Sequence, residues 1–372
     1  MDRRNFFKST AATAAFAALN FSGSRQAFAN EGGFNPSPAN GWRVFEITTR
    51  VELKELNDAT RVWIPLPSVE DSNWIKPMGN LWQGNASAVR QERDARYGAQ
   101  MLVAQWNKAD GVTPLLEVTS RFATRDRAID LSQRQSIAPL DKATRALYTS
   151  ATQWLPTDGI VKRTALEITK NTKTDLDKAK AIYEWVVENT VRDPKTRGCG
   201  TGDIRGMLES GNLAGKCADL NALYVGLARS VGLPARDVYG IRVADSKFGY
   251  KSLGKSGEIS KAQHCRAEVW LAGYGWVPVD PADVRKVILE EKQAEKQILS
   301  LQDPLVVQAR AKLFGAWEMN WLAYNVAHDI TLPGGAKVPF LMYPQGESAA
   351  GRLDSLAPTT FVYRITSKEI VV

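Results

Sequence analysis

Histidine is the scarcest reactive residue here: of 372 residues, only His264 and His328 carry an imidazole. Cysteine is nearly as rare, with three (Cys199, Cys217 and Cys265), and no two form a Cys-x-x-Cys pair. Cys199, Cys217, His264 and Cys265 are zinc-type ligands, but without paired spacing the sequence offers no support for a zinc site. No metal or other cofactor is expected. The chain also lacks any run of about 18 consecutive apolar residues, so no transmembrane span is expected in the mature protein. No basic stripe with interleaved aromatics exists, which argues against nucleic acid as a partner. The Gly-rich run at residues 197–203 lacks the Lys-Ser/Thr ending of a phosphate-binding loop. Internal repeats and low-complexity tracts are absent.

What is there begins with an address. Arg3 and Arg4 stand ahead of a weakly apolar, Ala-rich stretch, and Ala27-Phe28-Ala29 supplies a small-x-small cleavage site. Together these read as a twin-arginine export signal over residues 1–29, placing the mature protein in the periplasm. Cleavage after Ala29 removes Arg3, Arg4, Lys8 and Arg25 against Asp2, lowering the net charge of +8 by three. The remaining mild basicity favours contact with anionic envelope material. Three cysteines in an exported chain leave at least one thiol unpaired. Twin-arginine export carries folded protein, so a free thiol can be enclosed before it meets oxidant.

Residues 30–40 read as a flexible leader. From Trp42 the pattern turns to period two, and strand-like segments recur to about residue 125, predicting an antiparallel β-sandwich over 41–125. A polar linker covers 126–142. Helical periodicity follows over 143–154, 159–169 and 175–189. Cys217 opens another helix whose inward face is Leu220, Leu223, Leu227 and Val231, stopped by Gly232 and Pro234. Strands are predicted at 235–243, 264–272 and 276–279, a long helix at 282–300 and further strands at 317–330 and 361–372. The fold class is therefore α+β, with a helix-and-strand unit over 143–330 and a strand-rich extension over 331–372.

Chemistry concentrates in three residues. Cys217 sits at a helix N-terminus, where the dipole favours a thiolate and first-turn N–H groups can hold an oxyanion. Lys216 adds positive charge beside it. His264 begins a strand 47 residues later, and Asp280 closes the next strand in Gly275-Trp276-Val277-Pro278-Val279-Asp280-Pro281. Thiol, imidazole and carboxylate in that order are the parts of an activated nucleophile.

These motifs carry a resemblance. Gly-x-Cys at a helix start, His264-x-x-x-Glu268 at a strand start, the run ending Val279-Asp280-Pro281 and the helix ending Gly232-Leu-Pro-Ala-Arg236 are similar to the transglutaminase-like family of papain-type thiol enzymes. The resemblance implies a papain-like core of helices and antiparallel sheet behind the sandwich. It also implies Cys217 as nucleophile, His264 as base and then acid, and Asp280 as orienting group, acting on amides of a peptide or protein. With no calcium loop of the kind that gates animal transglutaminases, hydrolysis is favoured over crosslinking. A non-catalytic envelope scaffold on the same fold is the alternative. Two positions depart from the family pattern: Arg266 stands where an aromatic is common, and Ala218 where a Trp often follows the nucleophile.

Cys199 lies on the Gly-rich loop, and strand alternation points Cys265 away from the site that His264 faces. A Cys199–Cys265 disulfide would leave Cys217 free; two unpaired thiols are the other reading. His328 reads as surface or structural, and the aromatics at 317–343 as packing.

Overall fold

The structure is a computed structural model describing residues 33–53, 59–107, 113–291 and 298–371. The export-signal reading of residues 1–29 lies outside the described residues. The leader is anchored from residue 33 onward rather than flexible: Phe34 is buried against Phe248 and Tyr250, and Asn40 donates to Asp126 at 2.7 Å.

The period-two segments fold as strands. β1 (Arg43–Glu52) buries Phe45, Ile47 and Val51 on one face, and β2 (Thr60–Pro65), β5 (Gln100–Trp106) and β6 (Leu115–Thr124) are likewise half-buried or better. Between them lie β3 (Ile75–Gly84) and β4 (Ala88–Arg93), which are largely exposed. β3 carries Pro77 and Gly79 and β4 is mostly polar, so neither displays a buried face in its sequence.

A short β7 (Arg127–Ala128) leads into the second unit. Its helices are α1 (Lys142–Thr149), α2 (Gly159–Thr169) and α3 (Asp175–Asn189). Thr174 starts α3 through a reciprocal capping box with Asp177. β8 (Val191–Arg192) pairs in parallel with β9 (Ala214–Gly215), with α4 (Ile204–Ser210) between them. α5 (Cys217–Ser230) is buried along its length through Arg229. It packs on a sheet of β10 (Ala235–Arg242), β12 (Gln263–Leu271) and β13 (Gly275–Val279); a short β11 (Gly257–Glu258) lies in the connection between β10 and β12. Leu223 and Leu227 share one core with Ala267, Val269 and Leu271, so α5 covers that face of β12.

α6 (Pro281–Glu290) and α7 (Pro304–Lys312) follow. The helix expected over 282–300 therefore stops at Glu290, and residues 292–297 lie outside the described set. The strand expected over 317–330 is broken into β14 (Ala316–Trp317), β15 (Trp321–Asn325) and the start of β16 (Ile330–Thr331). β15 completes the sheet in the order β13-β12-β10-β15. β16 pairs with β17 (Lys337–Val338).

The C-terminal segment is not a separate extension. β18 (Gln345–Ser348) pairs with β2, β19 (Gly351–Leu353) pairs with β18, and β20 (Val362–Ile370) runs antiparallel to β1. The sandwich thus comprises two five-stranded sheets, β11-β20-β1-β6-β3 and β19-β18-β2-β5-β4. Both ends of the chain build it, and the helix-and-sheet unit is an insertion between them. Among the described residues no helix is long and apolar enough to cross a membrane.

Glu268 on β12 fastens the units together. It is fully buried between Arg127 of β7 and Arg236 of β10, the latter donating at 2.6 Å. The Arg127 guanidinium also lies over the rings of Trp74 and Trp317, at 4.9 and 5.2 Å. Glu268→Ala leaves two guanidinium groups without their shared counter-charge and is expected to cost about 3–5 kcal/mol, since removing one partner of a buried ion pair strands the other. Chemical denaturation checks this, with Glu268→Asp expected between the parent and Glu268→Ala; a loss below about 1 kcal/mol contradicts the assignment.

Candidate active site

The position of Cys217 is fixed by one buried carboxylate. Asp219, one residue into α5 beyond Ala218, accepts hydrogen bonds from the N–H groups of Lys216 (3.0 Å), Thr201 (3.0 Å) and Gly202 (2.9 Å). This folds the Gly-rich loop over the start of α5. The loop must be glycine here: Gly200 has φ +92°, and a Cβ on it would stand 1.8 Å from Asp219 Oδ2. Ala218 N–H donates to Cys199 O at 3.0 Å, and the N–H groups of Asp219 and Leu220 donate to Lys216 O. Of the first-turn donors, the Cys217 N–H is the one left without a partner among the described residues.

His264 owes its surroundings to a strand that ends early. β13 pairs with β12 only as far as Val279 opposite Ala267, so residues 264–266 have no strand beside them on that side. The N-terminus of α6 occupies the gap. Asp280 caps it, accepting from Asp283 N–H at 3.0 Å. His264 Nε2 lies 2.7 Å from Asp280 Oδ2 and 3.2 Å from Asp283 Oδ1. Asn221, one turn after Cys217, ties helix to strand by donating to Cys265 O (2.7 Å) and Asp280 Oδ1 (3.3 Å). From outside, Trp321 Nε1 donates to His264 O at 2.9 Å.

Two buried arginines complete a charge network. Arg242 donates to Asp283 Oδ1 at 2.5 Å. Arg266 Nε stands 3.5 Å from Asp280 Oδ2, its guanidinium 4.6 Å above the Trp321 ring and bonded to Glu318 O at 3.0 Å. The departure at Arg266 thus places a cation behind the Asp280 carboxylate. His264, Asp280 and Asp283 also offer ligand atoms within 4.8 Å of one another, the geometry of a metal cluster. The guanidinium groups of Arg242 and Arg266 already compensate those carboxylates, so the positive charge a cation would bring is supplied by the chain.

The ionisation states follow from this packing. Burial opposes a charged imidazole at His264, but Asp283 and Asp280 outweigh it and raise its pKa to about 9. Burial likewise opposes ionisation of Asp283, yet Arg242 and His264 hold its carboxyl well below the usual range. Asp280 is pushed up by burial and by the neighbouring Asp283. Burial lowers Arg266 to about 10. The Cys217 thiol is drawn well below its ordinary value by hydrogen bonds from Cys199 and Cys265, with His264 adding to them against burial. In return Cys199 is raised by its bond to Cys217 and by burial, and Cys265 by burial and by its bond to Cys217.

The cysteines choose between two sequence readings and correct a third. Cys199, Cys217 and Cys265 are all free thiols, so the Cys199–Cys265 disulfide is not formed. Alternation does set Cys265 on the face opposite His264, but α5 covers that same face, and the nucleophile end of the helix rests over it. Cys265 therefore belongs to the site, not behind it. Asn221, Asp219, Asp283 and Arg242 escaped sequence reading because each is a polar residue whose role is set largely by long-range packing; Asp219, three residues past Lys216, and Asp283, in Asp280-Pro-Ala-Asp283, carry cap-like spacings that could have drawn notice. His328 is buried, 2.5 Å from Tyr239 OH and 3.3 Å from Asp237, which makes it structural.

Cys217 and His264 line a cleft of about 660 Å³. Its lining also includes Tyr343, Leu356 and Tyr363 from the C-terminal segment, Tyr363 on β20, so that segment helps enclose the site.

Comparison with known proteins agrees with this architecture. Residues 162–281 match the Transglutaminase-like superfamily. An uncharacterized protein of Haemophilus influenzae is 36% identical over 347 residues, spanning 88% of this chain and 92% of that protein. Among solved structures, a candidate cysteine protease from Cytophaga hutchinsonii aligns with TM-score 0.51 and 14% identity, over 88% of this chain and 98% of its own. The periplasmic domain of TgpA from Pseudomonas aeruginosa aligns with TM-score 0.34 and 16% identity, over 66% and 94%.

The opposed shifts predict a pH window. A thiolate exists above the lowered Cys217 pKa and an imidazolium below about 9, so the ion pair persists between these limits. Alkylation of Cys217 by iodoacetamide should hold its rate well below the free-thiol pKa of about 8.5. His264→Ala should slow it. A rate that falls tenfold per unit below about pH 8.5 contradicts the shift.

Proposed function

Because this chain belongs to the transglutaminase-like superfamily, we propose that it is an exported thiol hydrolase acting on amide bonds of peptides or proteins. Cys217 is the nucleophile, His264 the general base and then acid, and Asp280 the group that orients the imidazole. The observation that carries this reading is the 2.7 Å bond from His264 Nε2 to Asp280 Oδ2, which leaves Nδ1 for the thiol and fixes the ring by its far nitrogen.

The steps balance with the chain's own groups. The Cys217 thiolate, its proton taken up by His264, attacks the amide carbonyl, and the Cys217 N–H, without another partner among the described residues, donates to the oxyanion. The His264 imidazolium protonates the departing amine, and a thioester remains. Neutral His264 then takes a proton from water as it attacks the thioester. The acid product leaves, and thiolate and imidazolium are restored. Asp283 stands beside Asp280 as a positioning group whose charge keeps the imidazolium stable through the cycle.

Water is favoured over an amine as the second nucleophile on electrostatic grounds. Seven basic side chains and one acidic side chain line the cleft, and a lysine acceptor approaching it as an ammonium meets like charge. Export rests on Arg3-Arg4 and the Ala27-Phe28-Ala29 site, with the periplasm as destination.

The test is turnover of a mixed peptide-amide library by purified protein, with intact-mass detection of a thioester at Cys217. Cys217→Ala should abolish turnover, and His264→Ala should lower kcat by about 10³-fold or more. Asp280→Asn should lower kcat with little change in KM, and added primary amine should not divert product. Turnover that survives Cys217→Ala sinks the proposal. Retention of an Arg3→Lys, Arg4→Lys protein in the cytoplasm, against periplasmic recovery of the parent, checks the export reading.

A further inference from the structure

We propose that the substrate segment entering this cleft is an acidic peptide, bearing carboxylate side chains close to the bond that Cys217 attacks. The proposal rests on the thiol-hydrolase reading and adds its substrate class.

The charges around the cleft are one-sided in a way the catalytic network does not require. Three of the basic side chains have carboxylate partners: Arg192 pairs with Glu290 at 2.5 Å, Arg242 with Asp283 at 2.5 Å, and Arg197 with Asp354. Lys286 stands 3.5 Å from the same Glu290 that serves Arg192. Lys216, Lys255 and Lys261 have no ion pair among the described residues. Lys216 is half-buried directly before Cys217, while Lys255 and Lys261 are exposed on the 243–262 connection leading to His264. The single acid, Glu258, is turned back onto its own loop, accepting from the N–H and hydroxyl of Ser260.

A concave site lined by one sign of charge concentrates the opposite sign and speeds its arrival. Lys286 strengthens the case, because burial and the nearby Arg242 both work against its charge. An anion docking there relieves that cost, whereas a cation or a neutral amide does not. The site's shape points to a peptide rather than a long polyanion. The cleft of about 660 Å³ is bounded by Tyr343, Leu356 and Tyr363. That is the size of a pocket for a few residues with apolar contacts on one side.

The experiment measures kcat/KM of the full-length protein on matched peptide amides that differ only in flanking Asp/Glu, Asn/Gln or Lys residues, at low and high salt. The acidic peptides should be favoured over the neutral ones by about tenfold or more at low salt. Added salt should shrink that advantage, because the Debye length falls to about 3 Å at 1 M. Lys255→Glu with Lys261→Glu should erase or invert the acidic-to-neutral ratio; both positions are exposed, so folding is preserved. Equal turnover of neutral and acidic peptides overturns this inference and leaves the hydrolase reading standing. Tight binding of an oligonucleotide with no acidic-peptide preference also overturns it. Failure of every peptide to form a thioester at Cys217 overturns the underlying reading as well.

Discussion

Two carboxylates facing one imidazole are the constraint on which the rest of the site depends. Asp280 and Asp283 both address His264 Nε2 from the first turn of α6. Two buried acids so close would repel unless positive charge stood among them. His264, Arg242 and Arg266 supply it, and the two carboxylates in turn hold the imidazole charged against its burial and the nearby Arg242. Hydrogen bonds from Cys199 and Cys265, joined by the charged imidazole beside the thiol, draw the buried Cys217 toward its thiolate. The network costs desolvation for five groups, so its persistence in the core is better explained by the thiolate it sustains than by stability.

The architecture delivers these groups from separate parts of the chain. β13 ends early so that α6 can present its acids, Asp219 folds the Gly-rich loop over α5, and Asn221 links helix to strand. The C-terminal segment that follows the insertion then adds to the cleft lining. β20 pairs with β1 across most of the sequence length. The sandwich is thereby more than a neighbouring domain: the C-terminal segment that completes it contributes Tyr343 and Tyr363 to the lining of the cleft that holds Cys217.

How much of this the sequence discloses follows from how local each cause is. Cys217 at a helix start, His264 at a strand start and Asp280 before a proline are marked by neighbours within a few residues, so they are legible, and so are α2, α3 and α5 by periodicity. β3 and β4 are not, because exposed edge strands need no apolar face. The pairing of β18 to β20 with the N-terminal strands is invisible locally, since nothing near residue 362 states that its partner lies near residue 52. Asp283 and Arg242 look like surface charge until packing buries them together, and Arg266, though marked as a departure, shows its ionic role only once buried beside them. Cys265 misled for a related reason: alternation gives its face correctly but does not say that the nucleophile's helix lies on that face.

The account turns on a resident imidazolium, and the two-histidine sequence makes it directly observable. Nitrogen-15 NMR of the imidazoles in the resting protein, with His328→Gln assigning the second ring, reads the protonation of His264 across the pH range. The account predicts both ring nitrogens of His264 protonated at pH 7, titrating near 9, and a lowered titration point in Asp283→Asn. A His264 that is neutral at pH 7 and titrates near the ordinary value of about 6.5 would contradict it.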